Sequence, residues 1–177
     1  MQIDPNFTKF LSRHEIDSLI EKMAQELSKD YEGKDVVFIS VLKGAFLFTA
    51  DLIRHVTFNP EVDFVRLTRH KQSHEKSGTI GIAKDISINL KDKHVLIVEQ
   101  ILDSGRALKF LYNRIKAAEP ASVEVATLLD KKNKRVVDVP VKYVGKTIDD
   151  HFLVGYGLDL EERCRNFIDL YYLRYPN

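Results

Sequence analysis

The sequence predicts an α/β protein: a largely parallel sheet with helices on both faces. Three observations carry that expectation. Short, continuous, β-branched apolar runs recur, as in residues 35–41 (DVVFISV) and 95–98 (VLIV), the pattern of strands covered on both sides. These runs alternate with amphipathic helical stretches across residues 35–129, which favours right-handed crossovers and parallel pairing. At two points an apolar strand runs straight into a short loop that opens a helix.

Taken in order, residues 1–11 read as irregular, with Pro5. Ser12 and Glu15 have the spacing of a capping box, and Ile16, Leu19, Ile20, Met23 and Leu27 recur at helical spacing. That helix is expected to end near residues 31–33, with Gly33 as its stop. Residues 35–41 form a buried strand that leads into Leu42-Lys43-Gly44 and a helix over 45–55. By itself, a lysine after a strand is usually just solvated. Residues 62–67 (VDFVRL) read as a third strand, 68–77 (TRHKQSHEKS) as a polar loop, and 79–83 (TIGIA) as a further strand. A polar loop between strands is a surface connection or a mobile lid. His70 and His74 are four apart, but neither a helical pattern nor a third ligand accompanies them.

The chain is organised around residues 94–108, HVLIVEQILDSGRAL. A buried strand delivers Glu99 and Asp103 to its carboxyl end, where open α/β sheets bind ligands. The turn Asp103-Ser104-Gly105-Arg106 then opens a helix over 106–118, ended before Pro120. Free N–H groups and the dipole at a helix start favour anions, and Gly105 allows close approach of a ligand. Acids beside such a cradle suggest a sugar phosphate with a divalent cation. Read alone, the stretch also fits an ordinary strand–turn–helix corner. Residues 123–129 (VEVATLL) follow as a buried strand, then the run KKNKR as a solvated turn. Residues 139–145 read as a short strand with Pro140 at its edge, 152–156 (FLVGY) as another, and 167–177 as the last.

The segment VLIVEQILDSG resembles the phosphoribosyl-pyrophosphate (PRPP) loop of the type I phosphoribosyltransferases, and most closely that of the hypoxanthine(-guanine) phosphoribosyltransferases. Leu42-Lys43-Gly44 matches the family's pyrophosphate loop, and FLVGYGLD with Arg165 matches its base-binding segment. The resemblance covers residues 12–172. It implies a five-stranded, mostly parallel core flanked by helices, with a small hood made from the chain's ends. It also implies a cis Leu42–Lys43 peptide and a lid at residues 68–77. The activity implied joins a 6-oxopurine to C1′ of PRPP with release of pyrophosphate, giving IMP or GMP.

The same resemblance assigns roles. Asp103 is the acid/base partner of the purine's N7. Ser104, Gly105, Arg106 and Ala107 cradle the 5′-phosphate. Glu99 and Gln100 meet the ribose. Lys43, Gly44 and Arg165 take the pyrophosphate. Lys131 donates to the purine's oxo group, Phe152 stacks on the base and the Leu153 backbone reads its edge. Glu99 and Asp159 position Mg2+. Four departures from the family's usual pattern stand out: Gln100 for Asp, Ala107 for Thr, Arg69-His70 for Ser-Tyr, and Lys146 for an aromatic residue. They leave two functions open, a working transferase or a regulatory protein that binds a purine nucleotide or PRPP without turnover. No G-x-G-x-x-G follows any strand, which argues against a Rossmann oxidoreductase. Lys131 and Phe152 argue against an adenine or pyrimidine substrate.

The totals agree with this class. At 177 residues, 44% hydrophobic and 30% charged, the chain fits one domain with a real core. A net charge of +1 gives no sign of a nucleic-acid or membrane partner. The lone Cys164 excludes an internal disulfide and fits a reducing compartment. The N-terminus lacks a secretory pattern and no run of about 18 apolar residues occurs, so the expected place is the cytoplasm. The family's usual state is a homodimer or homotetramer.

Overall fold

The computed structural model describes residues 7–70 and 79–173. Helix α1 (Arg13–Asp30) starts on the expected capping box. Glu15 N–H donates to Ser12 Oγ at 3.3 Å, and Ser12 N–H donates back to Glu15 Oε2 at 2.8 Å. Strand β2 (Val36–Leu42) leads to helix α2 (Phe46–His55), and strand β5 (His94–Leu102) leads to helix α3 (Arg106–Lys116). Strands β3 (Glu61–His70), β4 (Thr79–Lys84), β6 (Ser122–Asp130) and β7 (Tyr143–Thr147) complete one sheet, in the order β4-β3-β2-β5-β6-β7. Five of these strands are parallel; β4 runs antiparallel at the edge.

The apolar runs divide between two faces with period two. Val36 and Phe38, with Leu96 and Val98, pack under α1 and α2 through Ile16, Ile20, Phe48 and Leu52. Val37 and Ile39, with Val95 and Ile97, pack under α3 through Leu108, Leu111 and Ile115. Both faces are buried, which is why the runs are continuous rather than alternating.

A second, antiparallel sheet makes the hood. It joins β1 (Phe7–Leu11) and β8 (Leu153–Val154) to β9 (Leu170–Leu173), in the order β1-β9-β8. Residues 7–11 are therefore a strand, not irregular; their partner lies across the chain, with Phe7 opposite Leu173. Asp51 of α2 joins the first helix and the hood turn at one carboxylate. Arg13 Nη1 lies 2.9 Å from Asp51 Oδ2, and the same oxygen accepts from the Tyr156 hydroxyl at 2.6 Å. Burial, and then this bond to Asp51, push the Tyr156 phenol well up.

Other boundaries move for physical reasons. Residues 68–70 continue β3, because Thr68, Arg69 and His70 pair with Gly81, Ile80 and Thr79. The rest of the expected lid, and His74, lie outside the described residues. Strand β7 begins at Tyr143, after Pro140 rather than across it. Strand β8 is only Leu153–Val154, since Gly155, Tyr156 and Gly157 take φ of 97°, 42° and 96°. The Leu42–Lys43 peptide is cis. No helix among the described residues is long and apolar enough to cross a membrane.

Candidate active site

Strand order reverses between β2 and β5, whose neighbours diverge toward opposite edges of the sheet. A ligand crevice forms at such a switch point, outside the carboxyl ends of the strands. Two loops meet there. Gly44 follows β2, and a Cβ built on it would lie 3.4 Å from Gln100 Cβ of β5.

The loop after β5 encloses a cleft of about 180 Å3, lined by Glu99, Asp103, Ser104, Gly105 and Ala107, among others. Gly105 caps α3 at φ +80°, and a Cβ there would come within 2.8 Å of both Arg135 Cδ and the Val137 carbonyl. The backbone behind the loop is fixed by Val136 and Val137 N–H, which both donate to the Ser104 carbonyl, at 3.0 and 3.2 Å. Arg106 is exposed at the first position of α3. Glu99 is half-buried, and its Oε1 accepts the Gln100 N–H at 3.0 Å. Asp103 Oδ1 is buried with no hydrogen-bond partner among the described residues. An unpaired buried acceptor costs about 1–3 kcal/mol, and a cost of that kind is commonly held at a working site.

A charged cluster flanks the Lys43 loop. Lys43 Nζ lies 2.7 Å from Glu162 Oε2, and Arg165 Nη2 lies 3.0 Å from the same oxygen. Arg165 also reaches Asp159 Oδ1 at 2.9 Å and the Gly157 carbonyl at 2.8 Å. Lys43 and then Arg165 hold the Glu162 carboxyl down to about 2. On the other side, Lys131 is only 8% exposed, and its Nζ lies 3.1 Å from Asp150 Oδ1. Asp150 also holds Lys134 at 2.5 Å, and these two lysines lower its carboxyl below the usual range. Phe152 is 44% exposed, so a ring face is available for stacking. Leu153 is buried in β8.

The expected residues lie on the strand ends and loops described above. Gln100 is fully buried, and its Nε2 donates to the Tyr156 carbonyl at 2.9 Å. It faces the hood turn rather than the loop cleft. Successive strand residues point to opposite faces, so Glu99 lines the loop cleft while the Gln100 side chain is turned toward Tyr156. Arg135 also departs from the solvated turn expected of KKNKR: it supports Gly105 and pairs with Asp130. Glu162 and Asp150 carried no sequence signal beyond lying near Arg165 and Phe152. Lys146 is exposed on β7, and nothing in the structure explains its replacement of an aromatic residue.

A mostly parallel sheet whose switch point carries an acidic strand end, a glycine turn at a helix start and a lysine loop, with a buried lysine after β6 and an open aromatic ring before β8, has the architecture of an α/β enzyme with a small-molecule site. The chain belongs to the phosphoribosyl transferase domain family, which it matches over residues 8–161. It is 41% identical over 156 residues to the hypoxanthine-guanine phosphoribosyltransferase of Streptococcus pneumoniae R6, covering 88% of this chain and 87% of that protein. It is 38% identical to the Staphylococcus aureus Mu50 protein of the same name, with the same coverage. A solved hypoxanthine phosphoribosyltransferase from Staphylococcus aureus superposes with a TM-score of 0.90 at 36% identity, covering 96% of this chain and 94% of that one. A hypoxanthine-guanine phosphoribosyltransferase from Bacillus anthracis gives 0.89 at 37%, covering 94% and 98%.

Proposed function

We propose that this enzyme works in purine salvage, joining hypoxanthine or guanine to PRPP to give IMP or GMP and pyrophosphate. The observation that carries the reading is the unpartnered Asp103 Oδ1 beside the glycine turn. It is an acceptor held ready for a proton that the protein does not itself supply. The printed activities of the relatives support the same reading.

In this reading the N–C1′ bond forms as the bond from C1′ to pyrophosphate breaks, and Asp103 takes the proton from purine N7. The amide groups of residues 104–107, at the start of α3, bind the 5′-phosphate. Glu99 orients the ribose hydroxyls, while Lys43 and Arg165 meet the pyrophosphate. Lys131 has only donors to offer, so it selects an oxo group over adenine's amino group. Phe152 stacks on the base, and the Leu153 backbone reads its edge.

Mg2+ suits the donors present. Among the described residues no group of three or more His, Cys, Asp or Glu side chains is placed to hold a metal. Magnesium usually takes one or two carboxylates and completes its shell with water and substrate phosphates. Glu99 and Asp159 would supply those carboxylates, and the ion would offset the charge of the departing pyrophosphate. The lone Cys164 supports a reducing, cytoplasmic setting.

The test is pyrophosphate release from PRPP and Mg2+ with hypoxanthine, guanine, xanthine and adenine in turn. Turnover with a 6-oxopurine, lost in Asp103→Asn, supports the reading. Absence of turnover with every base overturns it.

A further inference from the structure

Lys43 and Arg165 come from distant parts of the chain and meet on a single oxygen, Glu162 Oε2, at 2.7 and 3.0 Å. The turn that presents this carboxylate is unusual. Leu160 and Arg163 exchange backbone hydrogen bonds, at 3.2 and 2.9 Å, which leaves Glu161 and Glu162 as the two central residues of a tight hairpin. Both take positive φ, 50° and 64°. That geometry ordinarily selects Asn and Gly, yet here it holds two glutamates. Glu162 N–H donates to Asp159 Oδ2 at 3.0 Å, so the turn is tied to the next carboxylate of the site.

We propose that Glu162 is an internal stand-in for pyrophosphate, keeping Lys43 and Arg165 in register until the pyrophosphate group of PRPP displaces it. This rests on the pyrophosphate role of Lys43 and Arg165 set out above. Arg165 keeps Asp159 as a second counter-ion, and the carboxylate oxygen it shares with Lys43 relieves the repulsion between the two cations. Pyrophosphate brings more charge and more acceptor oxygens than one carboxylate, so the exchange favours the ligand. After the reaction the carboxylate competes for the same two cations and promotes departure of the product. Glu162 is therefore a positioning residue whose charge opposes pyrophosphate binding while its bonds hold the site ready.

The experiment is direct titration of magnesium pyrophosphate into the whole protein, with product inhibition against PRPP as a second readout. Glu162→Gln keeps the side chain's size and removes its charge, and Glu162→Ala serves as the second variant. Glu161→Gln is the control, since it removes the same charge from the same turn without touching either ion pair. The expected result is about two- to fivefold tighter pyrophosphate binding in Glu162→Gln, the scale of an exposed ion pair. Glu162→Ala should shift in the same direction, and Glu161→Gln should match the wild type. Unchanged or weaker binding in both Glu162 variants overturns the proposal, as does equal tightening in Glu161→Gln. A wild type that binds no pyrophosphate and is not inhibited by it would instead overturn the assignment of Lys43 and Arg165.

Discussion

Gln100 Nε2 donates to the main-chain carbonyl of Tyr156 at 2.9 Å, tying the central strand to the turn that begins the hood's return. A carboxylate cannot make that bond. An aspartate here would be shorter and would set a negative oxygen toward a carbonyl oxygen. Gln100→Asp is therefore expected to destabilise the protein by about 1–3 kcal/mol, read as a lower denaturant midpoint at unchanged slope. It is also expected to lower turnover rather than raise it. An increase in both stability and activity would show that Gln100 only substitutes for a ribose-binding acid.

Asp103 places function against stability. Its Oδ1 is buried without a partner, so removing the carboxylate relieves a cost. Asp103→Ala is expected to be as stable as the wild type or more so, by up to about 1 kcal/mol, while turnover falls by about 10²-fold or more. Thermal melts beside initial rates test both halves. A large loss of stability would mean that the carboxylate holds the loop together.

Asp150 bridges Lys131 and Lys134 at 3.1 and 2.5 Å. Because Asp150 and Lys134 are well exposed, the loss should be small. Asp150→Asn is expected to raise KM for the 6-oxopurine about two- to fivefold, the size of an exposed ion pair, with KM for PRPP unchanged. Asp150→Glu should recover part of it. Equal changes in both KM values would point to a general loosening of the fold.

Asp63, at the opposite end of β3, is a buried carboxylate whose job is structural. Burial pushes its carboxyl up, but N–H donors from Ser87 and Phe64 and the ammonium of Lys84 outweigh that and hold it well below the usual range. A folded value below the unfolded one of about 3.9 means the contribution is fully present above that pH. It is lost as pH falls through the lower, folded value. Asp63→Asn is expected to cost about 2–4 kcal/mol at neutral pH. The gap to wild type should begin to narrow below about pH 4 and keep narrowing as the pH falls further.

The sequence speaks clearly where local chemistry decides the structure. Ser12 and Glu15 announce the start of α1 because a capping box needs only four residues. The 94–108 stretch announces the site because strand, glycine turn and helix start are contiguous. What distance hides is the rest. Residues 7–11 have no strand signal of their own and become β1 through partners at residues 170–173. Glu162 meets Lys43 across 119 positions of chain. Gln100 was legible in part: adjacent residues on one strand face opposite ways, so only one of Glu99 and Gln100 could face the loop cleft. Which one did depended on Tyr156, far downstream.

The pairing of β1 with β9 sets an order of assembly. Phe7 leaves the ribosome well before its partner Leu173. The six-stranded sheet and the glycine turn before α3 are complete by Thr147 and can condense while synthesis continues. The hood cannot close until Leu170–Leu173 emerges, and closing it brings together segments at the far limit of contact order. A nascent chain therefore holds the glycine turn at the start of α3 before it holds the hood. Of the described strands, the last made is also the one that seals the first.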